Sequence, residues 1–141
     1  MDADLIRWKN DKLLQLLILL VGIHSCILGV AMLFATRLMV AALGFATSVP
    51  LFFPSQSGIF MLILGLLYLR AIAAPSYVWT ILVSKALAVL FLFAHVVFLA
   101  APPIIWAAGA GDATMLIAVA LMLRRHHRLP PDRTHTAGEN A

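Results

Sequence analysis

Acid is what this chain most conspicuously lacks. Of its 141 residues only six are Asp or Glu, and between Asp11 and Asp132 there is one carboxylate, Asp112. A lone buried acid excludes chemistry that needs two facing carboxylates. Cysteine is almost absent too. The single Cys26 cannot form an internal disulfide or a multi-cysteine metal site, and inside an apolar run it reads as a small packing residue. No nucleophile elbow, phosphate loop, HExxH or CxxC occurs. Charge of either sign is sparse: 11% of residues, against about a quarter in soluble domains.

What is present is grease. The chain is 63% hydrophobic with a formal net charge of +4. A basic balance serves nucleic acid when the charges gather in a patch. Here they sit at the ends of long apolar segments, the pattern of membrane topology, so nucleic acid is excluded as a partner and the lipid bilayer is the expected one.

Four segments are long enough to span. The first, about 13–35, is apolar throughout and too long for the core of a signal peptide, so it reads as a retained helix. The second, about 55–74, follows Pro54 and stops at Pro75. The third, about 77–101, ends at Pro102-Pro103, and the fourth, about 104–123, contains GAGD, which is expected to weaken it or delay its start. Residues 36–54 hold a short apolar patch, Gly44 and two prolines, and read as an interfacial or re-entrant piece. Residues 129–141 have no apolar period and are expected to be a disordered cytoplasmic tail after a membrane domain spanning 1–128.

Lys and Arg concentrate in the leader (Arg7, Lys9, Lys12) and near the C-terminus (Arg124, Arg125, Arg128, Arg133), which predicts that both ends face the cytoplasm. The expected fold is therefore an all-α integral membrane four-helix bundle, N-in/C-in, in a bacterial inner membrane. Trp8, Trp79 and Trp106 fall at segment ends, as interfacial anchors do, and His126, His127 and His135 read as part of a solvated basic tail. Gly22, Gly29, Gly58 and Gly65 are spaced to let helix backbones approach, within the bundle or between copies.

Ionisable groups inside a span are costly and each needs an account. The candidates are His24, Tyr68, Arg70, Lys85, His95 and Asp112. At 1.5 Å per residue from the cytoplasmic face, His24 lies about 16 Å deep, Asp112 about 18 Å and Lys85 about 12 Å. Tyr68 lies about 8 Å deep, Arg70 about 5 Å and His95 about 27 Å, the last too far from His24 for the two to share a haem iron. In an up-down bundle the fourth helix touches the first and third. A Lys85–Asp112 ion pair with His24 hydrogen-bonded to the carboxylate would then neutralise the acid.

Such a knot could fix helix register, line a pocket for an apolar ligand with one polar end, or relay protons; an Asp112 hydrated near the outer face is the remaining alternative. Arg70 reads as a charge snorkelling to the helix end or, with Tyr68 nearby, as an anion contact. No metal site is expected, and no cofactor is specified by these residues.

The stretch GIFMLILGLLYLRAIAAPSYVWTILVSKALAVLFL, with GAGD after it, resembles small bacterial four-helix membrane proteins akin to the DoxX-like proteins, through Gly65, Tyr68, Leu69, Lys85 and Asp112. Some of those are subunits of quinone-linked oxidoreductases. The resemblance implies a four-helix membrane fold and a binding or accessory role, holding a quinone or lipid or docking onto a larger membrane complex. The rival is a small membrane enzyme or proton-coupled carrier using Lys85, Asp112 and His24.

Overall fold

The computed structural model describes residue 8 and residues 10–48 and 50–128. The expected tail, 129–141, lies outside the described residues. Regular structure among them is entirely helical. Helix α1 is Lys12–Phe34, α2 the short Thr36–Ala42, and α3 Phe52–Arg70. A 3-10 turn, Pro75–Tyr77, leads into α4, Val78–Phe98, and α5 is Ile104–Arg128. With its turn counted into α4, each of the four longer helices is long and apolar enough to cross a membrane. The shortest, α3 with 19 residues, extends about 28 Å, close to a hydrocarbon core of about 30 Å.

Local chemistry sets most of the boundaries. Asp11 caps α1: its side chain accepts the Leu14 N–H at 3.2 Å, satisfying a donor that has no partner within the helix. The second span starts and stops earlier than predicted. Pro54 lies inside the first turn of α3, not ahead of it, where its missing N–H costs nothing because that donor would be unpaired anyway. At the other end the helix closes at Arg70 and residues 71–73 form a turn before Pro75. The segment expected to be interfacial or re-entrant holds α2 and a turn at Gly44, whose φ of 78° suits a residue without a side chain. The GAGD stretch does not weaken the fourth span. α5 runs unbroken through it and continues to Arg128, about a turn beyond the predicted end.

The helices form two close pairs. α1 lies against α3 along most of its length, and α4 against α5. Glycine makes the first pair possible. A Cβ at Gly29 would sit 2.6 Å from the Leu62 backbone nitrogen, and one at Gly58 2.9 Å from the Gly29 carbonyl oxygen. These glycines therefore serve packing within the bundle. The two pairs touch each other far less; α5 meets both α1 and α4, as expected of the fourth span, but α1 only sparsely. They are joined at one end by a core of Leu14, Ile18 and Val21 of α1, Tyr68, Ala71, Val78, Ile81 and Val119. In a chain that runs up and down four times, the start of α1, the end of α3, the start of α4 and the end of α5 share that end. Large apolar side chains elsewhere point outward, Ile27, Leu87 and Phe98 among them. Hydrocarbon is the solvent for which such a surface carries no penalty.

Candidate functional site

On α4, Val78, Ile81 and Lys85 recur at helical spacing and are the buried positions, so one helical face carries the lysine inward. On the facing helix α5, Asp112 meets it. Lys85 Nζ donates to Asp112 Oδ1 at 2.5 Å. The two sides of the pair differ in access: the Lys85 side chain is 7% exposed and that of Asp112 18%. A charged pair at this depth holds itself neutral, which is why a chain this short of acid keeps one here. The short spacing of Gly109, Gly111 and Asp112 matters locally. A Cβ at Gly109 would strike the Phe93 ring at 2.6 Å, whereas one at Gly111 would meet nothing within 4 Å. Open space thus adjoins the carboxylate's own turn.

A second polar contact lies close by. Ser84, next to Lys85, gives its hydroxyl proton to the Thr80 carbonyl. Tyr68 Oη and Ser84 Oγ are 2.5 Å apart. With the serine proton already committed, the tyrosine must donate and the serine accept. Tyr68 is also within electrostatic range of Asp112. Three helices therefore contribute to one polar layer: Tyr68 from α3, Ser84 and Lys85 from α4, and Asp112 from α5.

Three of the candidates, His24, Arg70 and His95, are not in this layer. His24 is exposed on α1 and makes no hydrogen bond among the described residues. The reason is the pairing of the helices: α1 turns its inward face to α3, and α5 turns away to α4. Depth along the axis placed His24 level with Asp112 but says nothing about rotation around it. A proton relay through His24 to the carboxylate has no contact to run on. Arg70 is exposed at the end of α3, as a snorkelling charge would be. His95 stacks on Phe91 with ring centroids 3.8 Å apart and its Nδ1 is 2.8 Å from the Phe91 carbonyl. Among the described residues no three His, Cys, Asp or Glu gather as metal ligands.

Sequence reasoning missed a clasp at the closed end of the bundle. Trp8 is 3% exposed, not an outlying anchor, and its indole N–H is shared between the Ala71 and Ile72 carbonyls, each at 3.2 Å. Its ring meets His126 edge-on with centroids 5.6 Å apart. His126 Nδ1 lies 3.1 Å from Asp11 Oδ2. His126 is buried, not a solvated tail residue, because α5 continues past the predicted end and places it two turns beyond buried Val119 on the same face. The available signal was Asp11 itself, an acid in N-cap position before an apolar run. Trp79 is exposed, and Trp106 rests partly on Phe93.

Compared with known proteins, the chain matches no family model, no curated protein and no solved structure.

Proposed function

We propose that the Lys85–Asp112 pair is the polar end of a binding site, in a multi-pass protein of a bacterial inner membrane with both termini in the cytoplasm. The ligand is apolar with one polar end, a quinone or a lipid. The protein holds it alone or as an accessory subunit docked onto a larger membrane complex. The observation that carries this reading is the asymmetry of the pair. Lys85 is closed in, whereas Asp112 keeps partial access beside the open side of Gly111. Oδ1 takes the lysine, which leaves Oδ2 to accept from a ligand hydroxyl. The DoxX-like resemblance through Gly65, Tyr68, Leu69, Lys85 and Asp112 supports the pairing of Lys85 with Asp112, and the quinone or lipid is an extrapolation from it.

The test is extraction and mass spectrometry of lipids that copurify from native membranes in mild detergent. Wild type should retain a prenylated quinone or a particular lipid near one per chain, and Asp112→Asn, folded by circular dichroism, should lose it. Identical lipid content in both would refute the reading, and a copurifying set of protein subunits would point to the accessory form of it.

A further inference from the structure

His24 is unaccounted for by the polar layer. It lies one residue from Ile23, the midpoint of α1, and is exposed. Helix ends are about 15 Å away along the axis, beyond the reach of an imidazole, so it cannot snorkel as Arg70 does. Other polar groups near mid-span have found partners: Lys85 and Asp112 hold each other, and the Thr114 hydroxyl donates to the Ala110 carbonyl. An imidazole facing hydrocarbon alone is unfavourable, so its place on the outer surface needs a partner from outside the chain.

We infer that the His24 face of α1 pairs with the same face of a second copy of this chain. This rests on the membrane reading above and is independent of the ligand. Three observations carry it. First, the glycine face of α1 is already consumed by α3, so the remaining face is the one open to a partner. Second, Leu20, His24, Ile27, Ala31 and Phe34 recur at alternating steps of four and three residues, above the level where Leu17 of the same face packs into the chain's own core. Leu20, His24, Ile27 and Phe34 are exposed, while Ala31 is half-buried. That period of 3.5 is the seam of two parallel helices in a left-handed crossing, with small Ala31 easing the approach. Third, the chemistry is self-complementary. Copies inserted the same way around are related by a two-fold axis along the membrane normal, so each residue near the axis meets its own counterpart at the same depth. A lysine or aspartate there would face its own charge. A neutral imidazole offers one donor and one acceptor, so His24 of one copy can donate to His24 of the other.

The experiment uses the full chain in native membranes with Cys26→Ala as background. His24→Cys is compared under mild oxidation with Leu87→Cys, an equally central and exposed position on α4. An alkaline wash first checks that each chain stays with the membrane. A dimer-sized band with His24→Cys, far stronger than with Leu87→Cys, is expected. Energy transfer between labelled copies in vesicles should show His24→Leu associating about three- to tenfold more weakly than wild type, the loss of one hydrogen bond within a bilayer. His24→Asn, also self-complementary, should retain association. Equal cross-linking at both positions in a washed membrane would overturn the pairing while leaving the membrane reading intact. So would a His24→Cys product of some other mass, or undiminished association of His24→Leu. Release by the wash would overturn both.

Discussion

Replace Lys85 by Met and the Asp112 carboxylate is left without its counter-charge; replace Asp112 by Leu and the ammonium is. Breaking a buried ion pair from one side costs about 3–5 kcal/mol. The structure ranks the two variants within that range. Lys85, 7% exposed, has almost no access to solvent or headgroups, so stranding it by Asp112→Leu falls toward the upper end. Asp112, 18% exposed, has some relief, so Lys85→Met falls toward the lower end. The double variant strands nothing and exchanges a polar pair for two apolar side chains of similar size. Its expected change is within about 1 kcal/mol of wild type. The coupling between sites is then about 5 kcal/mol or more, measurable by SDS titration of the purified protein in mixed micelles with tryptophan fluorescence as the probe. Buried Trp8 makes that signal sensitive to the closed end of the bundle. Additivity of the two single changes to within about 0.5 kcal/mol would refute the argument that the pair exists to neutralise itself.

The glycines divide by what surrounds them. Gly29→Ala should cost about 1–3 kcal/mol, since its Cβ meets the Leu62 backbone at 2.6 Å and backbone cannot step aside. Gly111→Ala has open space and should gain up to about 1 kcal/mol from helix propensity. The same titration reads both, and equal effects would contradict the close approach of α1 and α3. Trp8→Phe keeps an aromatic ring but leaves the Ala71 and Ile72 carbonyls without their indole donor. A loss of about 1–2 kcal/mol is expected, with faster hydrogen exchange at the start of α1 and in the α3–α4 turn. Wild-type stability and protection in that variant would show that the clasp is only shape.

Four spanning lengths were legible in the sequence because hydrocarbon demands unbroken apolar runs, and such runs are visible in composition alone. Lys85 and Asp112 were legible as a pair because each must find a counter-charge and few are available. His24 was misplaced because residue counting yields height along a helix and not the direction a side chain faces. That direction depends on which neighbour a helix prefers, and here four glycines settle it in favour of α3. Trp8 and His126 were misread for a related reason. A tryptophan at the end of an apolar run looks the same whether it floats at the interface or folds back beneath a helix terminus. A histidine among arginines looks solvated until the helix is known to reach it. Pro54 and GAGD show the opposite error, local signals taken as breaks where the first turn and an interhelical pair absorb them.

The separation of Lys85 from Asp112 also has a meaning in time. They are only 27 positions apart, one helical hairpin. Synthesis at about 5–20 residues per second delivers the acid on the order of seconds after the base. The glycine-packed hairpin that comes before contains no charge of this kind and can settle without waiting. Each half of the protein thus finds its mate in the stretch of chain that emerges next, and the ammonium is unaccompanied only for as long as one turnaround takes to leave the ribosome.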